Sequence, residues 1–223
     1  MINLIIVGSG GFAAEIRSYI NDINNINKDK IRIRGFIDDS HENYIQNKIR
    51  YNFEEPYLGT SKEFKFDSDD FFVLGFANVK NRIVFINKLK TLKLNLLTLI
   101  HPTSIIDKTA NIEEGCVLSP FCTIGPNVNI GKYNIFTSYS FVSHDSVVGE
   151  NNFFSTAGLS GNVSVGDNNY FGIRCTILPS VTVGSNNLIQ AGMIIDKNIE
   201  NNETVYYRYK EKVSIIKEIN SNE

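Results

Sequence analysis

The sequence predicts an α/β domain followed by an all-β parallel β-helix of hexapeptide repeats, and three observations carry that prediction. An aliphatic or aromatic residue returns every six positions from Ile100 through Ile106, Ile112, Leu118, Ile124, Ile130, Phe136, Val142 and Val148 to Phe154. After one five-residue step the series resumes at Leu159 and runs through Val165, Phe171, Ile177, Val183 and Ile189 to Ile195. Glycine follows the apolar residue at positions 125, 131, 149, 166, 172 and 184. Ahead of the repeat, apolar runs alternate with helical stretches around a glycine-rich turn. Helices repeat every 3.6 residues and strands every 2, so a sustained period of six belongs to neither. It is the signature of short strands and tight turns stacked coil upon coil, with the apolar residue inside and Gly or Asn supplying the positive φ of the turns.

The first strand is expected at residues 2–7, apolar and running straight into Gly8-Ser-Gly-Gly11. That start lacks a basic segment and is too short for a signal peptide or a spanning helix. A helix follows to about Asn24, and a second strand, Ile31 to Ile37, ends on Asp38-Asp39. This is βαβ grammar with a G-x-G-x-x-A turn and acidic residues closing the second strand. Glycines let backbone N–H groups approach a ligand, a helix N-terminus favours an anion, and carboxylates accept hydrogen bonds from a ribose or base. A strand from Asp70 to Ala77, a helix from about Lys80 to Leu92 and a strand from Leu96 to Ile100 complete the small parallel sheet. Three uses of the turn stand open: an NAD site, a nucleotide site serving the β-helix, and a purely structural turn. The unit is one half of a full dinucleotide fold, because the repeat takes over where a second half would begin. The expected domains are residues 1–98, 99–198 and a tail, 199–223.

A net charge of −2 supplies neither a basic field for nucleic acid nor a polybasic membrane patch. Cys116, Cys122 and Cys175 all fall inside the repeat, where small residues suit turns and inner wall; an odd count without a framework fits the reducing cytoplasm. Of the three histidines, His41 reads as solvated in a polar loop and His101, before Pro102, as a cap on the entry to the β-helix. His144 takes an outward turn position where a β-helix has no packing use for an imidazole. Asp145 beside it can fix its tautomer, which makes His144 the candidate general base. A zinc site of the kind found on some hexapeptide β-helices needs three gathered histidines, and only His101 and His144 lie in this region, so no metal is expected. A scaffold without chemistry would use the same stacked aliphatics, and the His144–Asp145 pair is what separates catalyst from scaffold.

Several segments together carry a resemblance: Ile5-Ile-Val-Gly-Ser-Gly-Gly11, Gly35-Phe-Ile-Asp-Asp39, Tyr57-Leu-Gly-Thr60, Ile100-His-Pro102, Val142-Ser-His-Asp145, Leu159-Ser-Gly-Asn-Val-Ser-Val-Gly166, Ile173 and Leu178-Pro179. Over about residues 1–200 the chain resembles the sugar acetyltransferases that join a Rossmann-like domain to a left-handed hexapeptide β-helix. These include N-acetyltransferases of nucleotide-linked 4-amino-4,6-dideoxy sugars and the related sialic acid O-acetyltransferases. The resemblance implies acetyl-CoA as co-substrate, a homotrimer with active sites between neighbouring β-helices, and a role in bacterial surface-glycan precursor synthesis such as O-antigen. By position it implies His144 as base, Asp145 as its partner and the Gly161 amide as donor to the thioester oxygen. Ile173, Ala191 and Gly192 would line the pantetheine groove, and Phe153 stands where a relative has a CoA-contacting histidine. Gly8, Gly10, Gly11, Phe12, Asp38 and Asp39 would hold the nucleotide, with Gly59 or the Gly75–Ala77 turn nearby. The tail departs from the family's Gly-x-Pro-Ala-Lys-like turn, and Arg208, Lys210 and Lys212 are its candidates for meeting CoA phosphates. The Asp38-Asp39 pair tilts the expected reaction towards N-acetylation of a UDP- or dTDP-linked amino sugar, with O-acetylation of a sugar as the alternative.

Overall fold

The structure is a computed structural model that describes residues 1–28, 30–67 and 69–207. Strands β1 (Ile2–Val7), β2 (Ile31–Ile37), β3 (Tyr57–Gly59), β4 (Phe71–Leu74) and β5 (Asn95–Leu96) form one parallel sheet in the order β3-β2-β1-β4-β5. Helices α1 (Gly11–Ile26), α2 (His41–Tyr51) and α3 (Val79–Thr91) make the crossovers. The central strands are apolar on both faces because helices cover both: Leu4, Ile5, Ile6 and Phe72 are fully buried. Strand order reverses between β1 and β4, and the crevice outside the carboxyl ends of these strands is where such sheets hold ligands.

The expected strand Leu96 to Ile100 divides in two. Leu97 N–H still donates to Phe72 O in the first sheet, whereas Leu99 N–H donates to Cys116 O, one coil on. Leu99–Ile100 is therefore the first strand of the β-helix. Helix α2 falls where the sequence reading had only a polar loop. Its start was written in Ser40, whose hydroxyl accepts from Asn43 N–H at 3.2 Å, and its end in Asn52, left-handed at φ 53°.

From Leu99–Ile100 to Thr204–Val205, two-residue strands stack in parallel into three faces of seven, six and five strands. Each coil pairs with the next about eighteen residues on, for example Ile124 with Val142 and Phe136 with Phe154. Inside, Phe136, Phe154 and Phe171 stack with ring centroids 4.4 Å apart, and the repeat's aliphatic residues complete a continuous core. The coils run past Ile195: the phase slips by two residues to Ile199, then resumes at Val205. At one corner Asn134, Asn152, Asn169 and Asn187 form a buried ladder. Each side-chain oxygen accepts a backbone N–H of the next coil, from Asn152, Asn169, Asn187 and Glu203 in turn, at 2.7–2.8 Å.

The N-terminal domain sits on the outer side of the seven-stranded face. Leu99, Val117, Ile135 and Phe153 point outward there and share an apolar cluster with α1, and Tyr19 meets His101 edge to face. The fully buried Arg82 of α3 donates to Tyr133 O, and Asn151 Nδ2 donates to Val79 O.

Candidate active site

Every coil turns three corners. His144 and Asp145 occupy the corner between the six- and five-stranded faces, which is the corner opposite the face covered by the N-terminal domain. Both side chains are more than half exposed, and His144 Nδ1 stands 2.8 Å from Asp145 Oδ2. A carboxylate only accepts, so this contact places the imidazole proton on Nδ1 and leaves the Nε2 lone pair free. Asp145 holds a left-handed backbone at φ 59°, and its other oxygen accepts from Asn127 Nδ2 at 2.8 Å. These two hydrogen bonds, the Asn127 bond first, hold the Asp145 carboxyl below the ordinary carboxylate range.

One coil on, Gly161 lies against the imidazole. A Cβ there would stand 2.7 Å from His144 Cε1 and Nε2, so only glycine leaves the ring its place. The strand registers put Pro126, His144, Gly161 and Pro179 at equivalent turn positions. Proline has no N–H, so the fold has no use for one at this position. Gly161 does carry one, and among the described residues that N–H donates to no protein acceptor. An imidazole with a free lone pair and a residue with an unused amide thus lie against each other at one outer corner. Those are the parts needed for proton removal beside a stabilised oxyanion.

Ile173, Ala191 and Gly192 stack at a different corner, between the seven- and six-stranded faces. Ile173 is 53% exposed, Ala191 and Gly192 are exposed, and Gly192 N–H donates to Ile173 O at 2.8 Å. The coil before them is one residue short at this same corner, where Thr156 takes the positive φ. Phe153 is elsewhere. It points from the seven-stranded face into the domain interface, 5% exposed, and meets Phe12 at 6.0 Å edge to face. Phe12 and Phe153 therefore join the two domains, because an outward position on this face is covered by α1. Arg208, Lys210 and Lys212 lie outside the described residues.

In the N-terminal domain a cleft of about 640 Å³ opens at the carboxyl ends of β1 and β2. It gathers Gly8, Gly10, Asp38 and Asp39, and adds Ser9, Asn43, Asn81 and Lys88, which sequence reasoning missed. Gly8 takes φ 91°, and no side chain caps α1 at Gly10, which leaves the first-turn N–H groups of α1 without a capping acceptor. Asp38 serves the protein: Oδ2 accepts from Ser9 N–H at 2.9 Å and Ser9 Oγ at 2.6 Å, and Oδ1 from Ser40 N–H. Asp39 accepts from Ser61 N–H at 2.7 Å. Both carboxylates thus shape the rim, and Lys88, which donates to Ser61 O, brings a cation to the cleft. Gly11 opens α1, Gly59 ends β3, and Ala77 lines a second cleft between the domains; none of the three lines the first.

His101 is buried, with Nε2 3.1 Å from Asp22 Oδ2 and Nδ1 2.8 Å from Thr103 Oγ1, and His41 starts α2 against Tyr57. Among the described residues no cluster of three His, Cys, Asp or Glu is placed to hold a metal ion, and no helix is long and apolar enough to cross a membrane.

Residues 3–89 match the model of the PglD N-terminal domain. The chain is 39% identical over 49 residues to the GDP-perosamine N-acetyltransferase of Escherichia coli O157:H7, a stretch covering 22% of each protein. It is 30% identical over 118 residues to the UDP-N-acetylbacillosamine N-acetyltransferase of Bacillus subtilis strain 168, covering 53% of this chain and 51% of that protein. The matched stretches thus span no more than about half the length of these curated relatives. Among solved structures, PerB from Caulobacter crescentus, in complex with CoA and GDP-perosamine, superposes with a TM-score of 0.75 at 18% identity, covering 91% of this chain and 92% of PerB. The acetyltransferase domain of PglB from Neisseria gonorrhoeae FA1090 gives 0.76 at 19% identity, covering 92% and 96%, and is also known in complex with acetyl coenzyme A. The chain thus carries a PglD-type N-terminal domain over residues 3–89 and shares with these structures the fold of a Rossmann-like domain joined to a left-handed hexapeptide β-helix.

Proposed function

We propose that this chain transfers the acetyl group of acetyl-CoA to the amine of a nucleotide-linked 4-amino-4,6-dideoxy sugar. The observation that carries this reading is the pairing of the His144 imidazole, proton held on Nδ1 by Asp145, with the unused N–H of Gly161 beside it. The amine nitrogen attacks the thioester carbonyl, and the proton it sheds passes to His144 Nε2. Negative charge developing on the carbonyl oxygen meets the Gly161 amide. The C–S bond then breaks, and the CoA thiolate leaves and takes up a proton. Both substrates held together supply the orientation, so no acyl-enzyme is needed.

Ile173, Ala191 and Gly192, at the corner between the seven- and six-stranded faces, are assigned to the pantetheine arm. The nucleotide is assigned to the cleft of Gly8, Gly10 and Lys88, where helix N–H groups and an ammonium favour phosphate. That cleft is lined by the N-terminal domain alone, whereas His144 lies on the opposite corner of the β-helix. Within one chain the two are on different sides, which favours a homotrimer in which one copy's cleft serves another copy's imidazole. The curated relatives act on GDP- and UDP-linked amino sugars by name; here the base is left open among UDP, dTDP and GDP, since no residue of the cleft reads it. Both substrates are cytoplasmic metabolites, and three free buried cysteines suit a reducing compartment. Surface-glycan precursor synthesis is the setting in which such a product is used.

The test is thiol release from acetyl-CoA against a panel of UDP-, dTDP- and GDP-linked sugars, each offered as the amine and as the corresponding hydroxyl sugar. Release with an amine acceptor and none with its hydroxyl counterpart is expected. Turnover of hydroxyl sugars alone would replace the reading with O-acetylation, and no release with any acceptor would end it.

A further inference from the structure

We infer that Asn127 is the positioning residue of the His144–Asp145 pair: its side-chain amide clamps one carboxylate oxygen of Asp145 so that the other faces the imidazole. The inference rests on the acetyl-transfer reading above for its consequence in turnover, though not for the contact itself. His144 and Asp145 are both more than half exposed, so little packing restrains either side chain. An exposed side-chain contact of this kind is weak and orientationally loose, so a carboxylate left alone would rotate and release the ring. Asn127 supplies the restraint. It lies one coil before Asp145 in register, both residues are left-handed, and its Nδ2 reaches Asp145 Oδ1 at 2.8 Å while His144 Nδ1 holds Oδ2 at 2.8 Å. Asn127 is itself tethered: its backbone N–H donates to Thr109 Oγ1 at 2.9 Å, and that hydroxyl donates to Asp107 Oδ1 at 2.7 Å. The restraint thus climbs one corner of the β-helix and ends on the imidazole.

The bland alternative makes Asn127 one more rung of a corner ladder, as Asn162 is where its amide meets Ser180 Oγ at 3.1 Å. The two differ in what happens to the histidine. Asn127→Gly separates them, because glycine takes φ 56° without strain and only the amide is lost. The expected result is read first without substrate, from the imidazole 15N shifts of His144. The wild type should show the proton on Nδ1, and Asn127→Gly should show a mixture in which Nε2–H dominates, as in free imidazole. The kcat should fall roughly tenfold with KM unchanged. Exchanging the partners, Asn127→Asp with Asp145→Asn, rebuilds an amide–carboxylate contact and should restore part of the Nδ1–H signature that Asn127→Asp alone abolishes. A tautomer signature unchanged in Asn127→Gly would overturn the inference, and so would a shifted signature with wild-type kcat. If the wild type acetylates no amino sugar at all, the reaction assignment fails, while the tautomer measurement still decides whether Asn127 orients the pair.

Discussion

Two corners of the same β-helix use turn side chains to opposite ends. At the buried corner Asn134, Asn152, Asn169 and Asn187 are at most 2% exposed, and three of them donate their amide to a glycine carbonyl of the next coil at 2.7–3.0 Å. At the exposed corner Asn127, His144, Asp145 and Asn162 stand in water, bonded side chain to side chain. Inside, an amide without partners leaves a desolvated orphan; outside, water replaces whatever is removed. The buried corner therefore bears stability and the exposed one is free to bear chemistry, and each can be perturbed without the other.

The largest expected effect is on turnover. His144→Ala removes the proton acceptor from an exposed turn, and kcat should fall about 10²–10⁴-fold. Its thermal midpoint should match the wild type, because the ring is 63% exposed and contributes little burial. Assay and melting curve on one preparation check both halves, and a large drop in midpoint would break the division between the corners. The reverse pattern is expected for Asn152→Ala. It strands the buried N–H of Asn169 and the carbonyl of Gly166, and should destabilise the fold by about 3 kcal/mol. Urea unfolding measures it, with near-wild-type kcat below the transition.

Much of this contrast could be read from the sequence, and what escaped did so for definite reasons. The repeat from Ile100 to Ile195 was legible because one interior position per strand must be apolar, whatever packs outside. His144 and Asp145 were legible because an imidazole at an outward turn has no packing role. The Asn ladder was not, because an amide's partner is a carbonyl about fifteen residues away and nothing local marks the inner side of a turn. Phe153 was misplaced by sequence position alone: outward residues look alike on all three faces, and only tertiary docking covers one. Asp38 likewise reads as a ligand-binding carboxylate until Ser9 and Ser40 are seen to occupy it. The link from Asn127 to Asp145 needed only the coil register, since the two are eighteen residues apart in a repeat of six taken three times.

A smaller effect is expected at Gly161. Its φ is not left-handed, so alanine is tolerated by the backbone, but the new methyl must push the imidazole aside. Gly161→Ala should lose roughly tenfold in kcat while melting like the wild type. The three cysteines sharpen the other side. Burial pushes the thiols of Cys116, Cys122 and Cys175 up to about 12, so none should react with iodoacetamide at neutral pH until the β-helix unfolds. Labelling of the native protein would show that its interior opens more readily than a buried, hydrogen-bonded ladder allows.

The smallest effect tests whether the exposed corner contributes to folding at all. Asp145 has its folded-state carboxyl held below the ordinary range, chiefly by Asn127 and then by His144. A depressed carboxyl contributes stability that is present above its unfolded value, about 3.9, and is lost as pH falls through the lower folded value. Asp145→Asn should therefore melt slightly below the wild type at neutral pH, and the two curves should converge in acid once the wild-type carboxyl is protonated. Because the carboxyl is exposed, water competes for both of its partners, and whatever part of the neutral-pH gap comes from charge should shrink further in added salt. A gap that is large, or that survives acid and salt alike, would mean that the turn holding the imidazole is part of the scaffold, and the separation between a structural corner and a chemical one would no longer stand.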